Sequence, residues 1–161
     1  MNLTQEKLKE VLHYDPTTGI STWIKSPRSS WVGKQAGYIH TTLGYVYINV
    51  FGKMYRAHRL AWLYMIGCFP IDDIDHKNGK RSDNKFENLR DVTRSINMQN
   101  QRKTRSKNGS GYLGVHKNRK SFHAKIKIDG KQIHLGTYKT PKLAYSAYLK
   151  AKREFHAGNM L

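Results

Sequence analysis

An aspartate and a histidine stand side by side at Asp75 and His76, and a polar loop follows them in the stretch IDHKNGKRSDNKFENLR. Gly, Asn and Asp in such a loop have ordinary backbone uses, but a turn has no use for an acid and an imidazole fixed at the end of an apolar approach. Hydrolysis of a phosphodiester does. A base must take a proton from water, and a cation must neutralise charge on the phosphate and on the departing oxygen. His76 suits the first task, and the Asp75 carboxylate can hold the ion for the second. Neighbouring residues on a strand point to opposite faces, so a second ligand must come from elsewhere. Asn97, on the helix expected after LRDVT, is placed to fold back toward the strand end carrying Asp75. Oxygen ligands from Asp and Asn suit a hard ion, magnesium or manganese, and not zinc.

The elements that must position these residues show as changes of period along the chain. Thr4 to His13 carries Leu8, Val11 and Leu12 at helical spacing with Thr4 as N-cap, and a stop and turn follow from Tyr14 to Gly19. ISTWI, GYVYINVF and KMYRAH predict short antiparallel strands, with a hairpin across Gly52-Lys53. HRLAWLYMIG predicts a helix from His58 that ends near Gly67 and Pro70, with His58 expected to be a packed or capping residue. Asp75 and His76 come next, then LRDVT as a strand and RSINMQNQRK as a helix, giving strand, long loop, strand, helix. Residues 101–111, QRKTRSKNGSG, hold Arg102, Lys103, Arg105 and Lys107 and no large apolar residue, so they cannot support a core and read as a basic linker. Beyond it, SFHAKIKI alternates strictly, and Ala144, Ala147, Tyr148, Ala151 and Phe155 form one helical stripe after Pro141. The fold class is therefore α+β in two modules: residues 1–100, a linker over 101–111, and a three-stranded sheet with one helix over 112–161.

Lys and Arg number 29 against 11 Asp and Glu, a net charge of +18, which attracts polyanions and makes nucleic acid the first expected partner. No amphipathic anchor or lipidation signal points to a membrane. LAWLYMIGCF is far short of the roughly 20 residues that span a bilayer, and the expected location is intracellular. The single cysteine, Cys68, lies in that apolar run and is expected to be buried; it permits no internal disulfide.

The set Asp75, His76, Asn88 and Asn97, in strand, loop, strand, helix order, resembles the HNH nucleases, whose motif is a ββα unit that holds a metal. The likeness is detailed over His58 to Gln99, and the preceding GYVYINVFGKMYRAHRLAW is similar to the lead-in of phage and intron-encoded homing-type members. It implies that Asp75 and Asn97 are metal ligands, that His76 is the general base, and that Asn88 ties the loop to the strand so that His76 is oriented. The final position holds Asn97 where many members have His. Lys77, Lys80 and Arg81 are candidates for phosphate contacts beside the cut. A single such site, in a monomer or weak dimer, is expected to nick one strand.

The C-terminal module resembles the DNA-binding domain of plant ethylene response factors, the APETALA2 type, through YLGVHKN, FHAKIKI and IHLGTYKTPKLAYSAY. That likeness implies a sheet face that enters the major groove of double-stranded DNA, with His116, Asn118, Lys125, Lys127, Gln132 and His134 at the matching positions. The plant domains carry arginines and tryptophans at Leu113, His116 and His134, so the bases read must differ. A single-strand or RNA reader would want stacking aromatics on the wet face of SFHAKIKI, and none stand there. The function expected is a metal-dependent DNA endonuclease whose C-terminal module selects the site. The alternative is a sequence-specific regulator that keeps the ββα unit as a scaffold.

Overall fold

The first turn of the chain is set by Thr4, whose hydroxyl accepts a bond from the Lys7 N–H and caps helix α1, Gln5–Val11. The computed structural model describes residues 3–101, 104 and 109–160. The chain divides after Thr93 into two compact units.

In the first unit, α1 runs straight into strand β1, Leu12–Asp15, which pairs antiparallel with β2, Ile20–Trp23. The strand begins at Leu12, inside the helix expected from periodicity. The turn between them is built by the Asp15 carboxylate, which accepts from the backbone and hydroxyls of Thr17 and Thr18. Those bonds hold its pKa down at about 2. Strands β3 (Tyr38–Ile39), β4 (Val46–Val50) and β5 (Lys53–Arg56) form an antiparallel sheet in that order. The β4–β5 turn is Phe51-Gly52, one residue earlier than expected, with φ of 51° and 78°. Two left-handed residues make the mirror-image turn that matches strand twist, although an aromatic in the first place is unusual.

Helix α2, Ala57–Ile66, ends at Gly67, whose φ of 93° only glycine adopts readily. The helix is apolar nearly all round because two clusters claim it. Leu60 and Leu63 pack with Leu8, Leu12, Ile48 and Val50, while Ala61 packs with Tyr14, Ile74 and Leu89. A fully buried leucine contributes about 1.5–3 kcal/mol. Cys68 follows the cap and is exposed, not buried. The apolar run outlasts the buried part of the helix, and Met65 and Ile66 are exposed with it.

Strand β6, Asp73–His76, pairs antiparallel with β7, Leu89–Val92, across the polar loop. That loop is pinned to the β1–β2 turn: Tyr14 donates its hydroxyl to the Asn84 carbonyl at 2.7 Å, and Phe86 N–H donates to Pro16 O at 3.0 Å. Gly19 makes the close approach possible, since a Cβ there would meet the Lys85 nitrogen at 2.4 Å.

The second unit begins with α3, Arg94–Gln99, shorter than expected. Gly158 N–H donates to the Gln99 side chain at 2.9 Å, which ties α3 to the C-terminal segment. Strands β8 (Val115–Asn118), β9 (Ser121–Ile128) and β10 (Lys131–Tyr138) form an antiparallel sheet with β9 central. Helix α4, Pro141–Phe155, is capped by Thr140 and covers one face. Val115, Ala124, Ile126, Ala144, Tyr148 and Ala151 make the core; Phe155 ends the stripe and is half exposed. The linker positions Arg102, Lys103, Arg105 and Lys107 lie outside the described residues.

Candidate active site and nucleic-acid interface

Strand register decides the surroundings of Asp75. Arg90 stands directly opposite it, and its Nε and Nη2 donate to Asp75 Oδ2 at 3.0 and 2.8 Å. The carboxylate side chain is 7% exposed and the guanidinium 21%, so this is a largely buried pair. One residue further on, the pleat turns His76 to the other side.

His76 is buried, and its Nε2 lies 3.2 Å from Asn84 Oδ1. Asn84 Nδ2 donates to Ser82 O at 3.4 Å, which fixes which way the amide faces. An accepting oxygen at Nε2 means that Nε2 carries the proton, so the basic lone pair is on Nδ1. Burial lowers the His76 pKa below the ordinary imidazole value, with Arg81 adding to it and the Asn84 bond, Asp75 and Asp83 opposing it. The ring is therefore neutral at pH 7 and able to accept a proton.

Asn88 is the staple of the loop. Its Oδ1 accepts from Asn78 N–H at 3.0 Å, its Nδ2 donates to Asp83 O at 2.7 Å, and its carbonyl accepts from Lys77 N–H at 2.9 Å. Asn78 in turn binds Asp83 and the Lys80 N–H. Of the expected phosphate contacts, the Lys77 ammonium is engaged by the Glu87 carbonyl at 2.7 Å. Lys80 is exposed, as is Arg81, which lies over the Tyr45 ring and donates to Leu43 O.

Two aromatic rings stand beside His76 that residue types alone do not reveal. His58 meets it edge-on at 5.0 Å, and Tyr45 stands 5.2 Å from His58 and 6.1 Å from His76. Arg56 and Arg81 both lie against the Tyr45 ring, at 4.8 and 5.0 Å. Of the two rings, only His58 was singled out by sequence, at the head of an apolar helix. It is 3% exposed, and its Nδ1 has no hydrogen-bond partner among the described residues. Burial, with the charges of His76, Arg56 and Arg59 against Asp73, pushes its pKa down to about 3.

A pH dependence of stability follows. His58 is neutral in the folded protein, whereas an unfolded histidine takes up a proton below about pH 6.5. Stability should therefore fall as pH drops below 6.5, by about 1.4 kcal/mol per pH unit for each such group. Thermal unfolding between pH 7.5 and about 5, above the carboxylate range, will read this slope. His58→Gln will reduce it by one proton, and an unchanged slope would mean that His58 titrates normally.

Asn97 lies on α3 in the second unit. Among the described residues no three His, Cys, Asp or Glu side chains converge as a metal shell. The Asp75 carboxylate, expected as a ligand, has its Oδ2 engaged by Arg90. One anionic oxygen ligand fits a hard ion such as magnesium, which keeps several waters.

In the second unit the ladder brings the expected contact residues onto one face. His116 is opposite His123, Asn118 opposite Ser121, Lys125 opposite His134, and Lys127 opposite Gln132. Directly paired residues share a face, and this one is opposite the Ala124–Ile126 core. His123 belongs to it too: its ring is 5.1 Å from His134, and its Nε2 is 3.1 Å from Asn118 Nδ2. Its place in the alternation of SFHAKIKI was the available signal.

Residues 55–99 match the family model described as HNH endonuclease. The matched stretch contains Asp75, His76, Asn88 and Asn97 and supports a nuclease of HNH type, which implies a nucleic-acid substrate. No curated protein and no solved structure matches the chain. No helix among the described residues is long and apolar enough to cross a membrane.

Proposed function

We propose that the protein is a metal-dependent DNA endonuclease in which His76 is the general base and the C-terminal sheet face selects the site. The observation that carries this is a buried His76 whose Nε2 lies 3.2 Å from Asn84 Oδ1, inside the HNH-matched stretch, with burial holding its pKa below the ordinary imidazole value. His76 Nδ1 takes a proton from water as the water oxygen bonds to phosphorus, and the P–O3′ bond breaks. Asn88 holds the loop that carries Asn84. Asp75 would hold a divalent ion, magnesium or manganese, with Asn97 as the second oxygen ligand carried over from the family likeness. When bound, that ion supplies charge neutralisation at the phosphate and the leaving oxygen. One such centre cuts one strand, so a single encounter nicks.

The basic tether and the face of His116, Asn118, Lys125, Lys127, Gln132 and His134 are the proposed DNA contacts, in the manner of the APETALA2-type domain. The test is plasmid nicking by the full chain in magnesium or manganese, with a chelator control and mapping of the nicks. Changing Lys125, Lys127, Gln132 and His134 together to Ala should scatter the nicks while cutting continues. Nicks at unchanged positions would assign site choice to the first unit. Tight DNA binding with no nicking in any divalent ion would favour the regulator reading.

A further inference from the structure

We infer that the first unit holds an unpaired nucleobase in an aromatic pocket separate from the His76 site. The cavity, about 540 Å³, lies between the end of α1, the segment after β2 and the β4–β5 turn. That volume falls in the range of small-ligand pockets. Its walls are Trp23, Trp31 and Phe51, and its polar groups include Arg28, Asn49 and Glu10. The Trp23 and Trp31 rings are 6.4 Å apart and tilted by 31°, and the Arg28 guanidinium lies 5.1 Å from the Trp31 ring.

Two further features point to a ligand. Phe51 is 66% exposed and Trp31 42%, so their rings are not spent on the core. Phe51 also occupies a left-handed position, φ 51°, at the turn place that Asn, Asp or Gly fills without strain. A bulky exposed aromatic kept in a strained conformation suits a contact outside the fold.

The chemistry selects the occupant. Aromatic walls offer stacking to any base, and Arg28 supplies a cation for the adjoining phosphate. Asn49 can donate and accept, and the Glu10 carboxylate accepts, which suits the N–H groups on a base edge and repels a phosphate from that side. A net charge of +18 brings a polyanion to the pocket. A base inside a duplex has its faces covered by its neighbours, so the pocket takes one that is bulged, flipped or single-stranded. This rests on nucleic acid being the partner and not on cleavage.

The test uses the full chain in excess chelator, which separates binding from cutting. The probes are two duplexes, one with a single bulged 2-aminopurine and one with the same base paired. The bulged duplex should bind about tenfold more tightly, with 2-aminopurine emission quenched by stacking. Trp31→Ala and Phe51→Gly should each remove the preference and leave paired-duplex affinity unchanged. Phe51→Gly relieves the turn strain, so its melting temperature should hold or rise, and lost preference cannot then be ascribed to unfolding. Equal binding of the two duplexes, or a preference that survives both changes, overturns the pocket alone. Binding to neither duplex overturns the pocket together with the nucleic-acid reading.

Discussion

Replacing His76 by alanine will lower the rate of divalent-ion-dependent nicking about 10²–10⁴-fold, the usual contribution of a positioned general base. DNA affinity should change little, because a base acts on a proton in transit and adds little to ground-state binding. Asn84→Ala tests the orientation separately. It removes the acceptor that holds the proton on Nε2, so kcat should fall while KM is nearly unchanged, and Asn84→Asp, which keeps an acceptor, should recover part of the loss. The measurements are single-turnover nicking and DNA binding for the three variants. Wild-type cutting by His76→Ala would leave His76 as a packed loop residue and remove the base from the mechanism.

Local pattern was enough for elements that repeat a period or carry a cap. SFHAKIKI alternates because one face meets α4 and the other meets solvent, and β9 covers those eight residues. Thr4 was readable as a cap because a hydroxyl before an apolar stripe has one common use, and Pro141 as the opening of the last helix; the Thr140 cap came only with the structure. The pairing of Asp75 with its neighbour in sequence was also readable. Its real electrostatic partner was not, since Arg90 comes opposite only once the loop length and strand register are fixed. Asn84 escaped for a similar reason. It is one of several Asn residues in a polar loop, and only the bonds of Asn88 and Tyr14 bring its side chain to His76. Tyr45 and His58 reach the same ring from a different strand end and helix, a tertiary fact with no period. Cys68 was misread because hydrophobicity along α2 continues past the point where packing stops.

Removing the guanidinium from Arg90 should destabilise the first unit by about 3 kcal/mol, because it takes two charge-assisted bonds from a buried carboxylate. For a unit of this size that is a fall in melting temperature on the order of 15 °C. The pair is not interchangeable with a surface bridge, which contributes at most about 1 kcal/mol. Arg90→Ala loses two charge-assisted bonds to one oxygen and keeps the desolvated charge. The double variant Asp75→Asn with Arg90→Ala removes the charge as well and should recover much of the loss. Divalent ions add a second reading. If Asp75 is a metal ligand, magnesium or manganese can neutralise the carboxylate in place of Arg90, so Arg90→Ala should gain more thermal stability from the ion than the unaltered chain does. The double variant should gain none. Circular dichroism melts of the three proteins, with and without ion, give both answers. A stability loss under about 1 kcal/mol would show the bridge to be solvated, and equal ion effects in all three would remove Asp75 from the metal shell.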